Sequence, residues 1–245
     1  MHNNLYYSDC WIVINKWIFI LLTMYESLLS LPYFQGMSKD DITAILDNVA
    51  FEFVKHNDGD CICHRGDSCT SFLVLIQGTL QSIAEAPDES YRVIEDITAP
   101  YAIEPYSMFG YNTNYKKEYI AKGCCTILAI EKKYLFSELI KHNIFTINFL
   151  NLISHKAEKQ EEKLWKHTPG SIAGRIVKFI SLRCEQQHGR KIISIKMERL
   201  ASILCETRLN ISKSLNEMQA TDLLELHRKE IIIPSLKKLT DTITE

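Results

Sequence analysis

The pattern of hydrophobic and polar residues changes along the chain, and each change marks a different kind of structure. Near the N-terminus, Ser38 stands where a helix N-cap is expected, and apolar residues at helical spacing then predict a helix from about Lys39 to Val49. From Ala50 to about Lys132, short apolar runs are separated by turn sequences such as Gln77-Gly78. Many short strands with frequent turns predict a small antiparallel β-barrel or β-roll.

A helical pattern returns from Glu131 to about His167. Small and apolar residues there alternate steps of three and four, which forms a heptad seam whose apolar members include Ile147, Leu150, Ala157 and Leu164. A long helix with one narrow apolar stripe is typical of a helix that pairs with its twin in a homodimer. A single helix lying against the β-roll fits the same periodicity.

The last part of the chain predicts a different, smaller arrangement. Thr168-Pro169-Gly170 ends the long helix, and the pattern beyond it predicts a helix, a strand, two further helices and a hairpin. The apolar residues that mark these elements lie in Ile172–Ile180, Ile192–Ile195, Met197–Leu204, Arg208–Ala220, Leu223–Leu226 and Ile231–Ile233. Two short helices joined by a tight turn and followed by a hairpin describe a winged helix-turn-helix.

The helix that begins near Arg208 divides into two faces on a helical wheel. Ile211, Leu215 and Met218 fall within about 60° of one another and predict its buried stripe. The opposite face is polar and centred on Lys213, whose ammonium can reach guanine O6 and N7 in a major groove, while asparagine can pair with adenine. With the hairpin tip, the predicted DNA-binding residues are Thr207, Arg208, Leu209, Asn210, Ser212, Lys213, Asn216, His227, Arg228 and Lys229. An ordinary amphipathic helix with a solvated polar side is the alternative.

Length and charge support a division into more than one domain. The chain has 245 residues, of which 46% are hydrophobic, and this suits two small cores better than one. Its net charge of −2 hides an asymmetry, because residues 168–245 carry 13 Lys and Arg against 9 Asp and Glu. A basic end on an acidic body fits a module that binds phosphate groups. Uneven surface charge without a partner is the alternative.

The N-terminal residues and the cysteines limit the other classes of protein. Trp11–Leu22 is largely apolar, but its 12 residues are fewer than the ~20 that span a bilayer, and no signal-peptide cleavage site follows. We therefore expect translation to start at Met24, with residues 1–23 as an extension. A segment that contacts a membrane is the alternative. The eight cysteines match no zinc-binding spacing, so we expect reduced thiols and no metal or cofactor.

At this point the residues resemble a known family. Thr207–Gln219 and the hairpin that ends at Ile231–Pro234 resemble the DNA-binding end of the Crp–Fnr family of bacterial transcription regulators. Gly59-Asp60, Gly66-Asp67 and Gly78 resemble that family's cyclic-nucleotide-binding-like β-roll. The resemblance covers roughly Tyr25 to Leu239 and implies an α+β protein with three parts. These would be a β-roll sensor domain over residues 24–134, a dimerisation helix over 135–167 and a winged helix-turn-helix over 168–245.

The same resemblance implies partners. It implies a cytoplasmic homodimer that binds double-stranded DNA at near-palindromic operators and does not bind a membrane. It also implies an unknown small-molecule effector, and contact with RNA polymerase if the protein activates transcription. The sequence departs from the family where nucleotide-binding members carry an arginine that takes the cyclic phosphate, because no arginine occurs between Arg92 and Arg175. We therefore expect no useful affinity for cyclic AMP. The residues expected to line an effector pocket are Glu104, Tyr106, Tyr115 and Lys117.

Two other functions are consistent with parts of the sequence. A cupin-type enzyme also uses a small β-barrel, but it needs clustered histidines to hold a metal, and the predicted β-roll offers His56 and His64 without a His-x-His pair. We therefore expect no enzymatic activity. The second alternative is a ligand sensor, with haem held by His56 or His64, or a protein-interaction module that keeps the fold without binding specific DNA.

Overall fold

The computed structural model describes residue 26, residues 28–165 and residues 169–244. The expectations for residues 1–23 lie outside the described residues. The chain forms two compact units. The first combines the described residues up to Phe51 with Ile130–His155, and the second combines Glu52–Ala129 with Lys156–Glu245.

Helices dominate the first unit. A 3-10 turn at Pro32–Phe34 precedes helix α1 (Lys39–Asn48), and the predicted N-cap is confirmed, because the Asp41 amide donates to the Ser38 hydroxyl at 3.1 Å. Helix α2 (Lys132–Ser137), a 3-10 turn at Leu139–Lys141 and the start of helix α3 (Asn143–Trp165) complete this unit. The core contains the Phe34 and Phe145 rings, whose centroids lie 5.3 Å apart. One face of α3 is therefore fixed by aromatic packing within the unit.

The second unit is built on nine antiparallel strands. They are β1 (Glu52–His56), β2 (Cys61–Cys63), β3 (Ser71–Glu85), β4 (Tyr91–Thr98), β5 (Tyr101–Ile103), β6 (Glu118–Glu131), β7 (Lys191–Ile195), β8 (Glu225–His227) and β9 (Glu230–Ile233). Their order is β1-β6-β3-β4-β7-β9-β8, with β2 paired to β6 and β5 paired to β3. The antiparallel strands predicted from the sequence are confirmed, and among the described residues they follow an open path that does not close into a barrel.

One predicted turn in this sheet is wrong. Gln77-Gly78 lies inside β3, which runs without interruption for 15 residues. A Cβ atom at Gly78 would lie 2.6 Å from the backbone oxygen of Cys124 on β6, and the residue has a φ of 95°. Glycine is required there because another backbone approaches closely, and sequence alone does not separate that role from a turn.

The C-terminal elements match the predicted winged helix-turn-helix in order. Helix α4 (Ile172–Ser181), helix α5 (Met197–Ile203) and helix α6 (Arg208–Ala220) pack with β7, β8 and β9 around one hydrophobic cluster. A last helix, α7 (Leu236–Thr244), was not predicted, and it adds Leu236 and Leu239 to the same cluster. The α+β fold class is thus as the sequence predicted, with this one added helix.

Strand β7 also joins the C-terminal elements to the earlier strands of the same unit. It pairs with β4 in the register Tyr91↔Ile195 to Glu95↔Lys191. At the end of this pairing, Lys191 Nζ lies 3.0 Å from Glu95 Oε1, and both side chains are almost completely buried. The Glu95 carboxylate also accepts hydrogen bonds from the backbone amides of Glu185 and Gln186. A buried ion pair with these extra hydrogen bonds fixes one side chain arrangement at the junction.

Within the described residues, no helix combines the length and the apolar character that crossing a bilayer would require.

Candidate nucleic-acid interface

Helix α6 has the two faces that the sequence predicted. Ile211, Leu215 and Met218 are buried in the core of the second unit, which confirms the predicted stripe. The helix begins at a capped end, where the Asn210 amide donates to the Thr207 hydroxyl at 3.2 Å. This cap satisfies one of the free amides of the first turn and sets the direction in which the helix leaves the tight turn.

The polar face of α6 points away from the core. Arg208, Leu209, Asn210, Lys213 and Asn216 are exposed, and Ser212 is partly exposed. The exposed fraction of Leu209 is 78%, which is large for an apolar side chain. The predicted DNA-binding face is therefore accessible to solvent, and this is equally consistent with the alternative of an ordinary amphipathic helix with a solvated polar side.

Some of the predicted DNA-binding side chains already have partners within the protein. Arg208 pairs with Glu198 at 3.2 Å, and the Asn210 side-chain amide donates to Glu206 at 3.1 Å. Lys213 and Asn216 have no hydrogen-bond or ion-pair partner among the described residues. The centre of the exposed face is thus open for a ligand, whereas its N-terminal edge is held by carboxylates that a phosphate group would have to displace.

The turn between α5 and α6 is held by a residue that the sequence did not single out. Arg175 on α4 donates to the Leu204 carbonyl at 2.9 Å and to the Glu206 carboxylate at 2.6 Å. Hydrogen bonds from Asn210, from Arg175 and from the Thr207 amide together hold the pKa of Glu206 below its ordinary value. Arg175 is therefore a positioning residue for the turn, and only the folded arrangement brings it there.

The hairpin of β8 and β9 carries the predicted basic tip. His227 pairs with Glu230 across the hairpin, so Arg228 and Lys229 form a two-residue turn, and all three predicted residues are exposed. Lys229 has a φ of 67°, and its carbonyl accepts a hydrogen bond from the Ile195 amide at 2.8 Å. The tip is thus tied to the end of β7 rather than left as a free loop.

A groove of about 260 Å³ connects the start of α6 with this hairpin. The groove brings Arg208 together with His227 and Lys229, three residues that the sequence predicted separately. It also includes Lys196, the N-cap residue of α5, which the sequence analysis missed. Glu198 and Glu230 line the same groove, so its charge is mixed. A lysine directly before an amphipathic helix was the only sequence feature that pointed to Lys196.

The four residues expected to line an effector pocket are largely engaged within the protein. Glu104 is completely buried, and its carboxylate accepts hydrogen bonds from the amides of Lys116 and Lys117 at 2.7 and 2.9 Å and from the Ser107 hydroxyl at 2.9 Å. The buried Tyr115 hydroxyl donates to the carbonyl of Ser71 at 3.3 Å. The Glu104 carboxylate therefore organises the backbone before β6.

Of the remaining two residues, Lys117 contacts a carboxylate from the C-terminal part of the chain, and Tyr106 contacts a lysine that pairs with the same carboxylate. Lys117 Nζ lies 2.8 Å from Glu185, and the Lys156 ammonium lies 3.3 Å from Glu185 and 4.4 Å from the centre of the Tyr106 ring. The Tyr101 hydroxyl donates to the same carboxylate at 2.6 Å. Burial alone would raise the pKa of Glu185, yet Lys117 and Lys156 lower it to about 2. Glu185 is therefore ionised at neutral pH, and its carboxylate neutralises the Lys117 ammonium.

The seam on α3 is exposed where the sequence predicted pairing. The exposed fractions of Ile147, Leu150 and Leu164 are 56%, 57% and 73%, and Ala157 is exposed as well. Phe145 and Phe149, on another face of the same helix, are buried. Pairing of two chains through this exposed seam stays a prediction, and so does the single-helix alternative.

One cluster of metal-ligand side chains lies away from this interface. Sγ of Cys61, Nδ1 of His64 and a carboxylate oxygen of Glu118 all lie within 4.8 Å of one another. The pairing of β2 with β6 is irregular between Cys61 and Cys63, so Cys63 is buried and Cys61 is exposed. The seven cysteines of the described residues are free thiols.

Comparison with solved structures finds several similar proteins. No family model and no curated protein matches the chain. A solved structure of the catabolite activator protein of Thermus thermophilus is 13% identical, covers 86% of this chain and 97% of its own, and has a TM-score of 0.49. The c-di-GMP responsive global regulator CLP of Xanthomonas campestris is 14% identical over 80% of this chain and 99% of its own, with a TM-score of 0.48.

A second Thermus thermophilus protein, a transcriptional regulator of the CRP family, is also similar, at 14% identity, with 78% of this chain and 97% of its own covered and a TM-score of 0.42. At these identities and TM-scores the likeness assigns no ligand, DNA site or oligomeric state to this chain.

Proposed function

We propose that this chain is a transcription regulator of the Crp–Fnr type, which binds specific double-stranded DNA as a homodimer in the cytoplasm. The observation that carries the proposal is the exposed polar face of α6, with Lys213 at its centre and a basic hairpin across one groove. A helix whose apolar stripe is buried and whose opposite face is polar and open has the form of a recognition helix.

The residues of this interface divide into two roles. Lys213 and Asn216 lie at the centre of the exposed face of α6, where side chains reach base edges in a major groove and select sequence. Arg228 and Lys229 lie at the hairpin tip, where cations meet phosphates and add affinity without sequence choice. Lys196 in the groove joins the second group, because it lies beside Arg208 and Lys229.

Pairing through the α3 seam would give two recognition helices, one on each subunit. Isolated exposed leucines and isoleucines are common, but a row of them at heptad spacing is what a coiled-coil contact requires. A dimer of this kind reads two half-sites related by dyad symmetry. If the protein activates transcription, the dimer would also contact RNA polymerase.

The effector, if there is one, is not cyclic AMP in this proposal. The Glu104 carboxylate accepts hydrogen bonds from backbone amides, and Lys117 is paired with Glu185. No arginine occurs between Arg92 and Arg175 to bind a cyclic phosphate. We expect a calorimetric titration with cyclic AMP to show no binding at micromolar concentration. Micromolar or tighter binding would contradict this part of the proposal.

The test of the proposed function is selection of bound fragments from genomic DNA. We expect the wild-type protein to enrich fragments that share a dyad-symmetric consensus, and the double variant Arg208→Ala/Lys213→Ala to lose that consensus while it stays folded. Lys237→Ala, which removes an exposed lysine from α7, is the matched control and should retain the consensus. No enrichment by the wild type would favour a sensor or interaction module instead. Equal enrichment by all three proteins would contradict the roles given to Arg208 and Lys213.

A further inference from the structure

The cluster of Cys61, His64 and Glu118 lies on β2, on the turn that follows it and on β6, and the proposed function uses none of the three. Cys61 Sγ lies 3.5 Å from His64 Nδ1 and 3.9 Å from Glu118 Oε1, and His64 Nδ1 lies 3.3 Å from the same oxygen. Glu118 is 57 residues from Cys61 in sequence, so only the pairing of β2 with β6 brings these atoms together.

These separations are close to those of ligands around one tetrahedral metal ion. With bond lengths of about 2.3 Å to sulfur and about 2.0–2.1 Å to nitrogen and oxygen, tetrahedral angles place sulfur about 3.6 Å from each other ligand and nitrogen about 3.4 Å from oxygen. Two of the three observed distances agree within about 0.1 Å, and the sulfur–oxygen distance is a few tenths longer. Small side-chain rotations would bring all three atoms onto one ion.

The same geometry argues against a cysteine nucleophile at this place. A Cys–His–acid relay needs the thiol on one ring nitrogen and the carboxylate on the other. Here both Cys61 and Glu118 approach Nδ1 of His64. Three ligand atoms that converge on one point describe a metal site better than a proton relay.

The backbone fixes two of the three ligands before any ion binds. The His64 amide donates to the Asp67 carboxylate at 3.0 Å, which shapes the turn after β2. The Gly66 amide donates to the Tyr115 carbonyl at 2.9 Å, and the Tyr115 amide donates to the Asp67 carbonyl at 2.9 Å. The turn that carries His64 is therefore attached to the segment that leads into Glu118, which reduces the ordering that binding would cost.

We propose that Cys61, His64 and Glu118 bind one divalent ion of the zinc class, which nothing in the sequence spacing suggested. A thiolate, an imidazole and a carboxylate together favour zinc over magnesium or calcium, because the latter two prefer oxygen ligands alone. Among the described residues no fourth side-chain ligand joins the cluster, so water completes the coordination. His64 is exposed and the fourth position is open, which makes the bound ion exchangeable.

Titration of the reduced, full-length protein with Co²⁺ tests this site directly. We expect one equivalent to produce a thiolate-to-cobalt charge-transfer absorption and the visible bands of tetrahedral cobalt, both of which added Zn²⁺ removes. Cys61→Ser should abolish the charge-transfer band, and His64→Ala should weaken binding at least about tenfold. Cys124→Ser, which changes another exposed cysteine of the same strand pair, is the matched control and should leave the spectrum unchanged.

Zn²⁺ should also raise the melting temperature of the wild type and of Cys124→Ser but not that of Cys61→Ser, because an ion that binds the native state stabilises it. Circular dichroism of each variant without metal verifies that it is folded. The proposal is wrong if no band forms at one equivalent, if Cys61→Ser keeps the band, or if Cys124→Ser loses it to the same extent.

Discussion

Lys213 and Arg208 lie on the same helix, but in the part of the chain that the structure describes only Arg208 has an ion-pair partner that a ligand would have to replace. Lys213 has no ion-pair partner among the described residues, whereas Arg208 is paired with Glu198 at 3.2 Å. Arg208 and Glu198 are both exposed, so their contact contributes little to stability and is readily exchanged for a phosphate or a base. The unpaired Lys213 gives up only water when it binds, and its substitution is therefore the simpler probe of base recognition.

Replacement of Lys213 by alanine should weaken binding to the selected operator by about 1–3 kcal/mol and relax the preference at one base position of each half-site. The physical reason is the loss of a donor to guanine O6 and N7. Fluorescence anisotropy with the operator and with single-base variants measures both effects. An unchanged base preference in Lys213→Ala, with Lys237→Ala as the exposed control, would remove Lys213 from the set of base-reading residues.

Arg228 should behave differently, because a hairpin-tip cation meets phosphates rather than bases. Arg228→Ala should weaken binding to operator and to unrelated DNA by a similar factor and should lower the slope of log affinity against log salt by about 1. Affinities measured over a series of salt concentrations give this slope. Loss of affinity for the operator alone would instead assign Arg228 to sequence recognition.

At the scale of the elements, the pairing of β4 with β7 connects the strands of the predicted sensor to the predicted DNA-binding elements. The Glu95–Lys191 pair at its end is completely enclosed, and both groups have further hydrogen-bond partners, including the His188 carbonyl at 2.6 Å from Lys191 Nζ. Burial of two charges costs free energy that the pair only offsets when both partners are present. The junction is therefore more sensitive to loss of one partner than to loss of both.

Lys191→Met should lower the free energy of unfolding by about 3–5 kcal/mol, because it leaves the Glu95 carboxylate buried without its counter-ion. The double variant Glu95→Gln/Lys191→Met should recover part of that loss. The glutamine oxygen can still accept from the amides of Glu185 and Gln186, and no buried charge remains. Urea unfolding of the three proteins measures these differences, and a double variant less stable than Lys191→Met would contradict the account.

Glu185 gives the elements around it a stability that depends on pH. Its pKa in the folded protein is about 2, below its usual value of 4.5, so its contribution is present above about pH 4.5 and is lost as the pH falls toward 2. The full contribution is about 3 kcal/mol, from about 1.4 kcal/mol for each unit of pKa shift. The difference in unfolding free energy between wild type and Glu185→Gln should therefore shrink as the pH falls through this range. A difference that is constant with pH would contradict the assignment.

The local pattern of residues was sufficient to predict most helices and strands. The other features depend on contacts between residues that are distant in sequence. The cap at Ser38 and the stripe of Ile211, Leu215 and Met218 are properties of neighbouring residues, so the sequence predicted α1 and α6 correctly. The sequence around Gly78 predicts a turn because the residue that makes glycine necessary there, Cys124 on β6, is distant in sequence. Helix α7 was not predicted for a related reason. Leu236 and Leu239 become core residues only by packing into the hydrophobic cluster that α4, α5 and α6 share.

The residues of the candidate nucleic-acid interface also divide into those that local sequence predicts and those that only the folded structure brings together. The exposed face of α6 and the basic hairpin tip follow from spacing and residue type, and the sequence predicted both. The roles of Lys196, Arg175 and Glu206 depend on which elements meet at the groove and at the turn, which no local pattern contains. The Cys61–His64–Glu118 cluster was missed because the expected zinc patterns place ligands close together in sequence, whereas here the carboxylate comes from a different strand.

At the scale of the whole molecule, the exposed seam on α3 is the feature that a second copy of the chain would cover. Leu150→Glu should place a charge in that seam and convert the dimer into a monomer, because a buried unpaired carboxylate opposes the contact. Asn151→Glu, at the next and already polar exposed position, is the control and should remain dimeric. Light scattering on the eluted protein gives the mass, and a monomeric wild type or a dimeric Leu150→Glu would contradict the predicted seam.

Methylation interference on the operator distinguishes the two grooves that α6 could occupy, because guanine N7 lies in the major groove and adenine N3 in the minor groove. We expect two clusters of guanines whose methylation blocks binding, one in each half-site and separated by about one helical turn, or about 10–10.5 base pairs. In Lys213→Ala, methylation of the guanine opposite residue 213 in each half-site should no longer block binding. Interference confined to adenine N3, or a single cluster without dyad symmetry, would contradict a pair of α6 helices in successive major grooves.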